Sequence, residues 1–161
     1  MHHSPTAGVR SLTDAVLAGT ADEAIEGVEV AVRPALEATA EDVNGADAVL
    51  LGTTANFGYM SGALKHFFDS TFLDIGGALA ADGSGSGSEG AASGSRTRKP
   101  FALWVHGRYD TAGAVRSVQT IVQALPWSQA APTLEVLGEV SEEHLAAAYE
   151  LGATVAALLT D

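Results

Sequence analysis

The stretch ADAVLLGTTANFGYMSGALKHFFD, residues 46–69, decides the fold. Residues 46–52 are a run of strand length that is apolar apart from Asp47, which is typical of a strand buried on both faces. Residues 53–59 form a polar loop, and apolar residues then recur at helical intervals with Ser61 available as a cap. These periodic apolar residues are Met60, Leu64, Phe67, Phe68 and Phe72. Strand, loop and amphipathic helix in this order are the repeating unit of a parallel sheet covered by helices.

The same alternation runs through the rest of the chain. Apolar patterning predicts strands at 28–33, 100–106 and 133–137, a first helix at about 8–18, and a last helix beginning near Ser141. Val115, Val118, Val122 and Leu125 mark one more helix. From about 81 to 99 the composition falls to Gly, Ser and Ala, which predicts a flexible surface insertion. We expect a single α/β domain over residues 1–161.

One strand is missing from this pattern. The turn Ser4-Pro-Thr-Ala-Gly8 precedes the first helix, yet almost nothing stands ahead of it to serve as the strand that feeds it. In a doubly wound sheet that strand is central. We therefore expect His2 and His3 to be the end of a truncated first strand. The hypothesis is that the sequence as given starts too late.

Composition excludes several classes of function. The formal net charge of −12 disfavours nucleic acid as a partner. With no cysteine there is no disulfide, thiolate nucleophile or thiolate metal site, so a cytoplasmic location is expected. No apolar run approaches the length of a membrane span, so no membrane insertion is expected. Adjacent His2 and His3 point to opposite faces of a strand, which predicts no metal site.

Ligands of open parallel sheets bind beyond the carboxyl ends of the strands, where three loops qualify. The first contains Ser4, Thr6, Ala7, Gly8 and Val9 directly before a helix, which suits a phosphate. Taken alone, this loop is explained better by Ser4 or Thr6 as a simple helix cap. The second loop offers polar donors and an aromatic wall to a planar heterocycle, or is an ordinary loop with Phe57 in the core. Its residues are Thr53, Thr54, Ala55, Asn56, Phe57, Gly58 and Tyr59.

The third loop brings together His106, Gly107, Arg108 and Tyr109. Arg108 can stabilise negative charge on a reduced ring, while His106 and Tyr109 pack on or bond it. The alternative is a surface ion pair between Arg108 and Asp110. No side chain stands out as a nucleophile or general acid, so we predict no catalytic residue.

Residues 52–69 closely resemble the flavin-ring loop and following helix of the flavodoxin-like NAD(P)H-dependent oxidoreductases, a superfamily that includes the tryptophan-repressor-binding-protein type of quinone reductase. The shared spacing is Gly-Thr-x-x-x-x-Gly-x-Met-Ser-x-x-x-Lys-x-x-Phe-Asp. The amino-terminal loop is similar to the flavodoxin phosphate loop, Thr-x-Thr-Gly-x-Thr, but departs from it at Ala7 and Val9.

This resemblance implies a flavodoxin-like, doubly wound, five-stranded parallel sheet of order 2-1-3-4-5 and the cofactor flavin mononucleotide (FMN). Ser4, Thr6 and Gly8 would hold the phosphate, residues 53–59 the isoalloxazine ring, and residues 106–109 its other side. The implied activity is electron transfer from NAD(P)H through FMN to a small-molecule acceptor such as a quinone, in a possible homo-oligomer. Two alternatives stay open: a flavodoxin-type electron carrier, and an interaction domain without flavin.

Overall fold

The computed structural model describes residues 1–86 and 98–160. Helices and strands alternate through most of this range. The helices are α1 (Ala7–Thr20), α2 (Ala40–Asn44), α3 (Gly62–Thr71), α4 (Ala112–Gln123) and α5 (Glu142–Ala157). The strands are β1 (Val49–Asn56), β2 (Tyr59–Met60), β3 (Ala78–Leu79), β4 (Gly85–Ser86), β5 (Lys99–Gly107), β6 (Trp127–Gln129) and β7 (Leu134–Leu137).

The centre of the sheet is the parallel pair β1 and β5, in register from Val49 opposite Phe101 to Thr54 opposite His106. On its far side, β5 pairs in parallel first with β6 and then with β7, which together occupy one strand position. Strand β2 folds back on the end of β1 as a short antiparallel hairpin. β3 and β4 form a separate antiparallel pair.

Alternate residues of the central strands enter two different cores, as the period of two in a strand requires. One face contributes Leu51, Leu103 and Val105 to a cluster with α3 and α4. The other contributes Ala102 and Trp104 to a cluster with α1 and α5. Helices therefore cover both faces, and the continuous apolar run at 49–52 is explained by burial on both sides.

The amino terminus takes the central position expected of the first strand. His2 forms parallel bridges to both Pro34 and Gly52. Its N–H donates to the Arg33 carbonyl at 3.0 Å, and its own carbonyl accepts from the Ala35 N–H at 2.8 Å. The spatial order is therefore segment 33–35, residues 1–3, β1, β5 and β6/β7, which reproduces the predicted order 2-1-3-4-5 with the first two positions reduced to bridges.

Two predictions about local structure are wrong. Residues 28–33 are not a strand, because only residues 1–3 reach the position between them and β1 and too little backbone is present there to pair with. Residues 53–59 are not one loop, because β1 continues to Asn56 and turns only at Phe57 and Gly58. The insertion predicted at 81–99 is described only at its two ends. Its first residues, 81–86, include β4, and its last residue, Lys99, begins β5. Residues 87–97 lie outside the described residues.

Helix starts follow the sequence more closely. Ser61 caps α3 by accepting from the Leu64 N–H, and Ser141 caps α5 by accepting from the His144 N–H. Within the part of the chain that the structure describes, no helix is both long and apolar enough to cross a bilayer.

Candidate functional site at the carboxyl edge of the sheet

The three predicted loops converge at the carboxyl edge of the sheet. A Cβ placed on Gly8 would lie 3.6 Å from His106 Cε1, so the first and third loops are in contact. A Cβ placed on Gly107 would lie 3.1 Å from Ala55 Cβ, which brings the second and third loops together. Residues as distant in the chain as Gly8 and His106 therefore share one edge.

The start of α1 presents unpaired donors to this edge. Thr6 is the N-cap, and its Oγ1 accepts from the Val9 N–H at 3.4 Å while its carbonyl accepts from the Arg10 N–H at 3.0 Å. The N–H groups of Ala7 and Gly8 have no protein acceptor among residues 1–86 and 98–160. Free N–H groups at the positive end of a helix dipole attract an anion.

Ser4 is turned away from this spot. Its Oγ lies 2.9 Å from His2 Nδ1 and 2.8 Å from Thr13 Oγ1, and the Thr13 hydroxyl donates to the Val9 carbonyl at 3.1 Å. Since Thr13 has used its one proton, Ser4 donates to Thr13 and accepts from His2. Ser4 then has no proton left to donate to a ligand. The side chain of Val9 is fully buried, so only the backbone of Val9 is available at this loop.

Thr54 carries an unpaired hydroxyl. Its side chain is only 6% exposed, and Oγ1 has no hydrogen-bond partner in the described chain. Thr54 shares the face of Gly52, whose missing Cβ would meet Trp104, so its hydroxyl is on the α1 side of the sheet. A buried hydroxyl without a partner costs roughly 1–3 kcal/mol, which an added acceptor would recover.

Thr53 has the opposite role. It is fully buried, and its Oγ1 accepts from the Ser61 N–H at 3.0 Å and lies 3.0 Å from Ser61 Oγ. These bonds tie the end of β1 to the start of α3. The Thr53 side chain is therefore part of the frame beneath the site and has no free surface for a ligand.

His106 is held against the first loop from the next strand. Its Nε2 lies 2.9 Å from the Gly138 carbonyl, and its ring borders the position of Gly8. Because a carbonyl accepts, Nε2 carries the proton in this arrangement. Nδ1 of the neutral ring is then an acceptor.

Aromatic side chains stand exposed at the rim. Phe57 is fully exposed and adopts a positive φ of 51° at the tip of the hairpin, and Tyr109 is 87% exposed on the neighbouring loop. The alternative that Phe57 lies in the core is therefore excluded, and its ring is free to contact a ligand. Arg108 Cζ lies 6.0 Å from the Tyr109 ring centroid, and the described residues show no Arg108–Asp110 ion pair. Asn56 and Tyr59 are also exposed.

The hairpin tip rests directly on α4. A Cβ on Gly113 would overlap the Gly58 carbonyl oxygen, so the helix and the tip touch backbone to backbone. Asp110 Oδ1 accepts from the Ala112 N–H at 2.9 Å and fixes the start of the same helix. The exposed Phe57 therefore projects from a supported turn.

Sequence reasoning missed a fourth loop, which follows β7. Gly138 supplies the carbonyl that orients His106, and Val140 Cγ2 would lie 3.2 Å from a Cβ on Gly8. The signal was available, since residues 138–141 join a parallel strand to a helix and must lie at the same edge. In the described chain no group of three or more His, Asp or Glu side chains could hold a metal ion.

Comparison with known proteins points to one class of fold. No family model matches the chain. A flavodoxin from Aquifex aeolicus (strain VF5) is 32% identical over 79 residues, which are 49% of this chain and 42% of that protein. The matched region thus spans less than half of that relative's length.

Solved structures resemble the whole described chain at low identity. An archaeal flavodoxin matches with a TM-score of 0.74 at 14% identity, covering 99% of this chain and 96% of that one. The Streptococcus pneumoniae TIGR4 flavodoxin gives 0.70 at 16% identity, covering 98% and 95%. A WrbA-like protein from Agrobacterium tumefaciens gives 0.62 at 16% identity, covering 98% and 92%. The chain therefore has the flavodoxin-like α/β fold.

Proposed function

We propose that this chain binds FMN at the carboxyl edge of its sheet and serves as an electron carrier of the flavodoxin type. The observation that carries the proposal is the buried, unpaired hydroxyl of Thr54 on the face of the sheet that holds α1. The free N–H groups of Ala7 and Gly8 border His106, which is the register partner of Thr54. Together they offer a phosphate three donors on one side of the sheet.

The exposed aromatic side chains fit the ring end of the same cofactor. Phe57 and Tyr109 sit on neighbouring loops, and their rings have little protein to pack against. An isoalloxazine ring would cover apolar surface on both, which favours binding beyond the polar contacts. The backbone of residues 54–58 would supply donors and acceptors to the edge of the ring.

The residues present fit FMN in part. Thr6, Ala7, Gly8 and Thr54 suit the phosphate, whereas Ser4 is committed to Thr13 and His2. FMN supplies the redox chemistry when bound, and the protein holds, orients and partly shields it. No side chain of this edge needs to act as a nucleophile.

The carrier is favoured over an NAD(P)H-dependent enzyme by the known proteins that the chain resembles. Flavodoxins account for the sequence match and for two of the three structural matches described above. The net charge of −12 also suits a carrier that discourages the fully reduced, anionic ring.

The second candidate is the NAD(P)H:quinone reductase that the sequence resemblance implies. Arg108 favours it, because an exposed guanidinium beside Tyr109 can approach a ring that gains negative charge. The structural similarity to the WrbA-like protein also supports this second candidate. For this candidate we further propose that the electron acceptor is a small molecule and that the chain forms a homo-oligomer.

Anaerobic spectroscopy of the FMN-loaded chain separates the two candidates. For a carrier, dithionite bleaches the flavin band while NADH and NADPH leave it unchanged over minutes. Bleaching by either nicotinamide, followed by recovery with a quinone, would establish the reductase instead. A chain that takes up no FMN would remove both.

A further inference from the structure

His106 places a titratable ring next to the proposed phosphate position. The side chain is half-buried and stands beside the start of α1, since a Cβ placed on Gly8 would lie 3.6 Å from His106 Cε1 and 3.9 Å from its Nε2. Its register partner is Thr54, whose unpaired hydroxyl is on the same face of the sheet. The imidazole therefore borders both sets of donors that the proposed function assigns to a phosphate.

The bond between His106 and the loop after β7 fixes which ring nitrogen carries a proton. Nε2 lies 2.9 Å from the Gly138 carbonyl, and because a carbonyl only accepts, Nε2 is the donor. The other tautomer would leave that carbonyl facing a lone pair. In the neutral ring Nδ1 is therefore an acceptor. The two nitrogens of an imidazole point away from each other, so Nδ1 is directed away from Gly138, and it has no hydrogen-bond partner in residues 1–86 and 98–160.

A neutral His106 does not suit a phosphate group. A phosphomonoester is a dianion above its second pKa of about 6, and its oxygens then accept hydrogen bonds and donate none. Nδ1 of the neutral ring is an acceptor as well, so the two groups would repel each other. One added proton on Nδ1 turns the ring into a cation that donates from both nitrogens, to Gly138 and to the phosphate. The bond to Gly138 is kept in this state.

Charged side chains on the surrounding elements leave this role open, because none of them bonds the imidazole within the described chain. Arg10, in the first turn of α1, donates to the Pro5 carbonyl at 3.0 Å. Glu135 is on the opposite face of β7, where it accepts from Thr111 at 2.6 Å. His144, in the first turn of α5, lies 3.1 Å from Ser141 through Nδ1. The other charged residues of these elements are exposed to screening by water, namely Asp14, Arg108, Asp110, Glu139, Glu142 and Glu143.

We propose that His106 is a phosphate-binding residue and that it takes up one proton when the phosphate group binds. The proposal rests on the phosphate site of the proposed function and assigns His106 to that end of FMN, away from the isoalloxazine. A free histidine side chain has a pKa of about 6.5 and is mostly neutral at pH 8, whereas a phosphomonoester is a dianion there. Binding at pH 8 therefore draws the proton from solvent.

Inorganic phosphate tests the proposal on the flavin-free chain by NMR. At pH 8, phosphate is added until the amide resonances of Ala7 and Gly8 stop moving. The Cε1–Hε1 resonance of His106, assigned by its loss in His106→Gln, should then move toward its low-pH position. Sodium chloride at equal ionic strength should leave it in place, and so should phosphate for His66, which is exposed on α3. A His106 resonance that does not respond to phosphate would overturn the proposal.

Calorimetry with FMN and riboflavin separates this proposal from the proposed function. In two buffers of different ionisation heat at pH 8, FMN should take up at least about half a proton per chain and riboflavin none. The affinity for FMN relative to riboflavin should fall about 3–10-fold from pH 7.5 to 8.5 in the native chain and in His66→Gln, and stay constant in His106→Gln.

The outcomes for the two proposals differ. Tighter binding of FMN than of riboflavin, without proton uptake and at a constant ratio across this pH range, would overturn the role of His106 and leave the proposed function in place. Binding of neither flavin, with the His106 resonance still shifted by inorganic phosphate, would overturn the proposed function and support His106 as a phosphate-binding residue.

Discussion

Thr54 and His106 stand opposite each other in the register of β1 and β5, one with a buried hydroxyl that has no partner and the other bonded to the Gly138 carbonyl. Both lie on the face that carries the start of α1. This pair links the unpaired donors of α1 to the hairpin at Phe57, and so defines where the two ends of a nucleotide cofactor would meet the protein.

Replacing Thr54 with valine tests whether its hydroxyl is reserved for a ligand. Since the hydroxyl has no protein partner, Thr54→Val should leave the free energy of unfolding of the flavin-free chain unchanged or raise it by up to about 1 kcal/mol. The Kd for FMN should increase about 5–10-fold, the equivalent of one hydrogen bond. Urea denaturation and flavin titration measure the two quantities.

Thr71→Val is the matched control. Thr71 is also buried, but its hydroxyl donates to the Phe67 carbonyl at 2.7 Å, near the far end of α3. That variant should change the Kd for FMN by less than about twofold. If Thr54→Val destabilises the flavin-free chain and spares FMN binding, the assignment of Thr54 to the ligand is wrong.

The contact between Gly113 and Gly58 predicts a different balance of effects. Gly113→Ala forces the hairpin tip off α4 and should cost about 1–3 kcal/mol of unfolding free energy. Gly62→Ala, at the first position of α3, meets no atom within 4 Å and should be neutral or stabilising by up to about 1 kcal/mol. Equal stability of the two variants in urea would contradict the close packing.

Phe57 and Tyr109 should matter for binding and hardly for stability. Because both are exposed, alanine at either position should shift the unfolding free energy by no more than about 0.5 kcal/mol. Loss of stacking should raise the Kd for FMN about 3–10-fold. Leu73→Ala, an exposed apolar residue beyond the end of α3, serves as control and should leave the Kd unchanged. An unchanged Kd in both aromatic variants would remove them from the site.

Stability should fall as the pH drops from 8 to 6. The Met1 amino group has its pKa lowered from 8.0 to about 6 in the folded chain, mainly by burial, so the unfolded chain binds more protons in this window. The group therefore destabilises the fold progressively below pH 8, by at most roughly 3 kcal/mol once the pH is below 6. Asp42 opposes this effect, and His2, whose pKa is also lowered mainly by burial, adds to it.

Acetylation of the amino terminus isolates the contribution of Met1. The acetylated chain should lose most of the decline between pH 8 and 6 and keep only the part due to His2. Identical pH profiles for the free and acetylated chains, measured by urea denaturation, would show that the amino group is not buried in solution.

Much of the fold was predictable because its signals are local. Residues 46–52 are apolar apart from Asp47, and this pattern correctly indicates burial on both faces, although β1 begins three residues later and runs to Asn56. Ser61 and Ser141 cap their helices as predicted. The large side chains Trp104 and Trp127 are both nearly fully buried.

Segment 28–33 shows what local pattern cannot decide. Its alternating valines indicate a strand, but a strand needs a neighbour to bond with, and residues 1–3 reach only Arg33 to Ala35. The interior hydroxyls were equally hidden from sequence. Thr53 and Thr54 are adjacent and chemically identical, yet the pleat directs one to Ser61 and leaves the other unpaired.

The most direct test of the account compares FMN with riboflavin, its counterpart without the phosphate, by calorimetry on the flavin-free chain. Phosphate recognition by Thr54 and the start of α1 predicts one FMN bound per chain, at least tenfold tighter than riboflavin, with the advantage reduced in Thr54→Val but not in Thr71→Val. Equal affinity for the two flavins, or no heat of binding with either, would contradict it.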